Sequence, residues 1–218
     1  SDVCEAVDAE YVGGDLDGHQ EFTVATTALG QTHDPVRRSG ASPGDAVCVT
    51  GTLGRSAAAL RLFERGNGER DGARLDERGD AEYGDVERAN ELFRFEPRVA
   101  AGRVLADHAT AMMDSSDGLA RSLHQLAEAS EVGFELDPDR LPVHPTVDAV
   151  AEGPAERFEL AAHFGEDFEL VCAVPEEAVE PAREACPAGL TRVGRVVDAA
   201  DGVTADGDPL PDRGYTHG

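Results

Sequence analysis

The chain has 218 residues, 40% of them hydrophobic, with 19 basic against 44 acidic side chains and a formal net charge of −25. The apolar share is enough for a buried core and excludes a disordered chain. The charge argues against a nucleic-acid binder, because a phosphate backbone would be repelled, and no apolar run approaches the roughly 18 residues of a membrane span.

Residues 1–9 read as the end of a helix, followed by Tyr11-Val12-Gly13-Gly14-Asp15, and residues 22–29 read as a Thr/Val/Ala strand. Pro35, Gly40, Pro43 and Gly44 mark residues 33–44 as a loop. Ala46-Val47-Cys48-Val49-Thr50 is a buried strand, which Gly51-Thr52-Leu53-Gly54 turns into a helix over 57–63. Residues 64–84 are charged and glycine-rich, with little periodicity, and predict a surface loop. Helices follow over 87–95 and 98–108, separated at Pro97. Met112-Met113 closes a short apolar run that Asp114 ends, and Leu119, Leu123, Leu126 and Ala127 then share one face of a helix reaching Ser130. Residues 132–136 predict a short strand, 138–145 a loop, 147–151 a short helix and 168–174 a strand of high β-propensity. A helix over 176–186, a strand over 191–197 and a Gly/Asp-rich tail with a small hairpin complete the chain. Loosely alternating strands and helices predict an α/β or α+β fold with a mixed sheet.

No secretory signal pattern opens the sequence, so a soluble cytoplasmic protein is expected. Lysine, isoleucine and tryptophan are absent. An acidic, lysine-free surface resembles proteins of salt-loving organisms, where ionic strength screens self-repulsion. Cys4, Cys48, Cys172 and Cys186 form no CxxC pair, which argues against a zinc site and for reduced thiols.

Several short blocks carry chemistry, each with a plainer alternative. Gly13-Gly14-Asp15 suits a backbone approaching a phosphate with a carboxylate for its metal, but alone it reads better as an ordinary glycine turn. Gly51-Thr52-Leu53-Gly54-Arg55-Ser56 lacks the lysine of a P-loop and reads as close helix–strand packing. Arg37-Arg38-Ser39-Gly40 offers bidentate phosphate contact or surface ion pairs, about equally. Asp114-Ser115-Ser116-Asp117-Gly118 is denser. One aspartate would suffice as a helix cap. Two at a strand-to-helix corner suit a hard cation such as Mg²⁺, beside a helix N-terminus that can receive an anion. Gly165-Glu166-Asp167 precedes a hydrophobic strand in which Glu169 is expected to face solvent, and Glu166 sits in the turn where a ligand could reach it.

Taken in order, these blocks resemble the thiamine-monophosphate kinase family, within the aminoimidazole ribonucleotide synthetase and selenophosphate synthetase superfamily. The matching residues are Val12-Gly13-Gly14-Asp15, Arg38-Ser39-Gly40-Ala41 with Pro43-Gly44-Asp45, Val49 to Ala58, Asp114 to Leu119, Gly165 to Leu170, and Gly214-Tyr215. The resemblance implies ATP-dependent phosphorylation of thiamine monophosphate, in line and assisted by Mg²⁺, with no covalent protein intermediate. It assigns metal binding to Asp15, Asp114 and Asp117, and ATP contact to Gly14, Asp15, Arg38 and Ser116. It assigns the thiamine moiety to Glu166 and to Tyr215, which stands where the family usually has tryptophan. Ser115 replaces a usual isoleucine and Phe164 a usual glycine. It also implies the family's two-domain fold with the N-terminal domain largely missing: residues 1–37 as its remainder and 38–218 as the C-terminal α/β domain. Members are expected to be homodimers. Because further metal-binding aspartates belong to the missing part, weak or no kinase activity is expected of this chain. The alternatives are a truncated non-catalytic domain, or a related superfamily ATPase or synthetase.

Overall fold

A computed structural model describes residues 2–14, 23–68 and 79–214. The chain divides into two units, Ser1–Pro35 and Val36–Gly218. In the first, a short helix α1 (Asp2–Ala6) is followed by irregular backbone. Residues 23–29, expected as a strand, carry no regular structure, and Val24 and Leu29 are exposed. β-propensity stabilises a strand only through ladder partners and a packed face, and among the described residues none pairs with this segment.

The second unit is built on one seven-stranded sheet. Its strands are β1 (Ala46–Thr50), β2 (Ala111–Asp114), β3 (Gly133–Leu136), β4 (Leu170–Val174), β5 (Leu190–Val197), β6 (Val203–Ala205) and β7 (Asp208–Pro209). They lie in the order β2-β4-β1-β5-β3-β6-β7, antiparallel throughout except for β3 beside β6. The period-2 alternation of the central strands sorts the core into two layers. Val47 and Val49 of β1 and Val171 and Ala173 of β4 face helix α5 (Leu119–Ser130), which contributes Leu119, Leu123 and Leu126. Ala46, Cys48, Cys172 and Val174 face the other way, toward α4 (Val99–Leu105) and α8 (Val179–Ala185). No disulfide forms among the described cysteines, and burial pushes the Cys48 thiol up to about 12, so it stays neutral and inert.

A third cluster joins the helices beside this sheet. It comprises α2 (Arg55–Gly68), α3 (Gly79–Phe93), α6 (Pro145–Val150) and α7 (Pro154–Ala162), packed through Ala57, Ala58, Ala59, Leu62, Ala89, Leu92, Val147 and Leu160. The loop expected over 64–84 is therefore shorter than the sequence suggested: α2 runs on to Gly68 and α3 begins at Gly79. Its charges serve the helix. Arg61 pairs with Glu64 at 3.1 Å and Glu156 at 2.8 Å, and Arg65 donates to the carbonyls of Ala149 and Val150 at the end of α6. Helix α7 was not foreseen. Its signal was Gly153-Pro154, with proline at the first helical position, where its missing N–H is harmless. Among the described residues no helix is long and apolar enough to cross a membrane.

Candidate active site

Asp114 is the last residue of β2 and lies opposite Leu170 at the start of β4. The chain then turns through residues 115–118 into α5, whose buried leucines fix the helix against the sheet. Ser122 on the first turn donates to the carbonyls of Gly118 at 3.0 Å and Asp114 at 3.2 Å, closing the corner from within. Asp114 is exposed, while Ser116 and Asp117 are half-buried. Ser115 between them is 1% exposed, and its hydroxyl has no hydrogen-bond partner among the described residues.

The segment between α7 and β4 closes on this corner. The N–H of Ser115 donates to the Glu169 carbonyl at 2.8 Å, and the N–H of Glu166 donates to the Ser116 carbonyl at 2.7 Å. Gly165 lies at φ +83°, and a Cβ there would stand 2.5 Å from the Ser116 oxygen and 2.8 Å from the backbone of Asp117 and Gly118. Only glycine allows the two turns to approach so closely. Glu166 and Phe168 also hold left-handed conformations, at φ 60° and 53°. For non-glycine residues such backbone costs of order 1–3 kcal/mol each, and it persists only where neighbours impose it.

The acidic residues of this segment divide by environment. Asp167 is 3% exposed and caps α2, accepting from the N–H of Gly54 at 2.5 Å and of Ser56 at 2.9 Å. Burial pushes its carboxyl up from 3.8 to about 6, against the pull of those donors and of the Arg55 guanidinium. Glu169, expected to face solvent, is 1% exposed. It accepts from Arg98 Nε at 2.6 Å and Nη2 at 2.7 Å, and from Thr50 Oγ1 at 2.7 Å. Its carboxylate lies over Gly51 of the β1–α2 turn, where any side chain would collide with it. The alternation of β4 does not reach back to 169, because the strand begins only at Leu170. Asp167 and Glu169 are thus committed to the fold. Glu166, Asp114 and Asp117 are not: among the described residues their carboxylates have no hydrogen-bond or ion-pair partner.

The C-terminal tail enters the same corner. His124 Nε2 lies 2.8 Å from the Leu210 carbonyl, His163 Nδ1 lies 3.2 Å from that of Arg213, and Arg213 pairs with Glu159 at 2.9 Å. These contacts strap residues 210–214 over α5 and α7. Gly214 comes so close to the Asp117 carbonyl and the Arg121 side chain that a Cβ there would collide with both. The next residue is Tyr215, which, like Asp15, lies outside the described residues. Arg38 sits farther along β2. The Arg37 carbonyl accepts from Met112 N–H at 2.9 Å and the Arg38 carbonyl from Ser130 Oγ at 3.1 Å, while the Arg38 side chain is exposed and, among the described residues, has no ion-pair partner. Gly14 belongs to the first unit and is exposed.

The structure therefore brings together Asp114, Ser116, Asp117 and Glu166, with the tail leading to Tyr215. A family model for AIR synthase related protein, C-terminal domain, matches residues 42–206. A thiamine-monophosphate kinase of Halobacterium salinarum is 61% identical over 216 residues, covering 99% of this chain and 68% of its own length. This chain belongs to the thiamine-monophosphate kinase family. The corresponding kinase of Methanospirillum hungatei is 38% identical, over 98% of this chain and 65% of its own. Among solved structures, AaThiL complexed with AMPPCP and TMP superposes with a TM-score of 0.64 at 31% identity, over 84% of this chain and 54% of that one. The chain thus spans about two thirds of the kinases' length and about half of that solved chain.

Sequence reasoning gave Asp167, Ser56 and Arg98 no part in the site. Their partners lie 113, 110 and 71 residues away along the chain, and no local pattern announces a contact at such a distance.

Proposed function

We propose that this protein phosphorylates thiamine monophosphate at the expense of ATP, giving thiamine diphosphate and ADP. A phosphate oxygen of thiamine monophosphate attacks the γ-phosphorus in line as the bond to the ADP oxygen breaks. That nucleophile is already anionic, so no side chain has to take a proton from it. The work of the protein is positioning and charge neutralisation.

The observation that carries this reading is the corner itself. Asp114 and Asp117, whose carboxylates have no partner among the described residues, flank a helix-opening turn, and Glu166 and the tail as far as Gly214 are pinned beside it. Among the described residues no set of three or more acidic, histidine or cysteine side chains is gathered to hold a metal. Asp114 and Asp117 nevertheless fit Mg²⁺ as part of a set, being hard oxygen donors left free where every neighbouring buried carboxylate is satisfied. With Asp15 they would hold the ion, whose chemistry when bound is to offset the charge of the polyphosphate. Gly14, Asp15, Arg38 and Ser116 would contact ATP. Glu166 would meet the cationic thiazolium, and Tyr215 would stack on an aromatic ring. The relative complexed with AMPPCP and TMP supports both substrates.

The same reading takes residues 1–37 as the remainder of an ATP-binding domain, 38–218 as the C-terminal domain, and a cytoplasmic homodimer as the working form. The −25 charge and the identity to a Halobacterium salinarum relative support a protein adapted to high salt. Thermal unfolding in molar KCl tests the site. Mg-ATP and thiamine monophosphate, each added alone at about 100 times its Kd, should each stabilise the chain by about 2.7 kcal/mol. Asp114→Asn and Asp117→Asn should remove the Mg-ATP response. Absence of any ligand-dependent rise at millimolar concentrations would overturn the proposal.

A further inference from the structure

Asp167 touches no proposed ligand position, yet the restraints on Glu166 converge on it and on the turn it caps. Its carboxylate accepts two N–H groups at the start of α2, that of Gly54 just before the helix and that of Ser56 in its first turn. Arg55, between them, donates to the Asp167 carbonyl at 3.2 Å. Ser56 then reaches back, its Oγ donating to the Glu166 carbonyl at 2.7 Å. On its other side Glu166 is held by the 2.7 Å bond from its N–H to Ser116. Phe168 stacks on Phe95 at 4.8 Å, with the Arg55 guanidinium 5.3 Å from the Phe95 ring. The left-handed residues on either side of Asp167 are thus clamped from α2, from the β2–α5 turn and from the aromatic stack. Without the clamp, an extended or right-handed backbone would be preferred at both, and the Glu166 side chain would leave the corner.

We propose that Asp167 is a positioning residue: by anchoring its loop to the first turn of α2, it holds Glu166 beside Ser116 and so sets the affinity for the thiamine substrate. The claim about affinity rests on the function proposed above, whereas the claim about the loop does not. An aspartate is required because a single carboxylate accepts from both converging N–H groups. Asparagine would turn an NH₂ against one of them.

The test is a double-mutant cycle on the full chain. Binding of thiamine monophosphate is followed by calorimetry in Mg²⁺ and molar KCl for the native chain, Asp167→Asn, Glu166→Gln and the pair. Asp167→Asn should weaken binding about tenfold, the worth of one charge-assisted hydrogen bond lost indirectly. Mg-ATP affinity should fall by less than about threefold, because the loop reaches the ATP side only through the backbone bond of Glu166 to Ser116 and not through the Glu166 carboxylate. In the Glu166→Gln background the same substitution should cost less than about twofold, because its effect runs through a carboxylate already removed. Equal losses in both backgrounds, or no loss in either, would overturn the proposal. Ser56→Ala leaves the Asp167 cap intact and removes only the bond to the Glu166 carbonyl. It should weaken binding about threefold, and it serves if Asp167→Asn does not fold. If the native chain takes up no thiamine monophosphate, the functional reading fails on its own. The loop is then judged by amide hydrogen exchange in Asp167→Asn. Faster exchange at Gly54, Ser56 and Glu166, with Leu123 and Leu126 unchanged, upholds the positioning role. Unchanged exchange at Glu166 overturns it.

Discussion

Replacing Arg98 by alanine tests the electrostatics beneath the site. Glu169 is 1% exposed, and its carboxylate is held by both ends of the Arg98 guanidinium and by Thr50. Removing one partner of a buried pair costs about 3–5 kcal/mol, because the remaining charge is left without compensation. The Arg98 side chain is 17% exposed, so water can partly replace it, and we expect the lower end, about 3 kcal/mol. For a protein of this size that corresponds to a fall in Tm of roughly 6–12 °C. With an m value of about 2 kcal/mol/M, the urea midpoint should fall by about 1.5 M. The assay is urea unfolding in molar KCl, where surface charges are screened but this buried pair is not. The decisive comparison is Arg98→Ala with Glu169→Gln added. A neutral amide is far cheaper to bury than a carboxylate, so the double variant should recover at least about 1 kcal/mol. A loss below about 1 kcal/mol for Arg98→Ala, or no recovery in the double variant, would refute the reasoning.

Other outcomes follow from the same corner. Between pH 3.8 and about 6 the folded Asp167 keeps a proton that the unfolded chain has shed, so ionising it costs stability as pH rises through that window. Stability of Asp167→Asn relative to the native chain should therefore improve by roughly 2 kcal/mol between pH 4 and 7, measured by urea unfolding at the two pH values; equal slopes would contradict it. Arg55 opposes this rise and Glu169 adds to it, so neither should be altered in that experiment. Ser115→Ala removes a buried hydroxyl that has no partner among the described residues and should raise stability by roughly 1 kcal/mol, seen as a higher Tm. Gly165→Ala forces a Cβ into the backbone of the neighbouring turn at a positive φ. It should cost at least about 2 kcal/mol and abolish thiamine monophosphate binding, whereas a fully stable variant with native affinity would show that the turns need not touch.

Much of the fold was legible because its signals are local. The four-residue spacing of Leu119 and Leu123, followed by Leu126, announced α5, and the apolar run 46–50 announced β1, since helix and strand periods are written into the chain itself. The errors lie where a local signal was read without its surroundings. Charged residues 64–68 looked like loop, yet Arg65 closes α6 and the segment is helical. Residues 23–29 have the composition of a strand, but composition supplies no ladder. Glu169 looked solvent-facing because its partner, Arg98, stands 71 residues earlier.

The sequence by itself determined which carboxylates sit at chain reversals, which glycines permit those turns and which family the ordered blocks resemble. These are properties of neighbours along the chain and need no third dimension. Only the tertiary structure decided which acids remain available. Asp167 and Glu169 are consumed by donors from α2, Thr50 and Arg98, while Asp114, Asp117 and Glu166 find no partner among the described residues. A carboxylate's role depends on the donors and the water around it, and packing alone assembles that environment from residues a hundred positions apart.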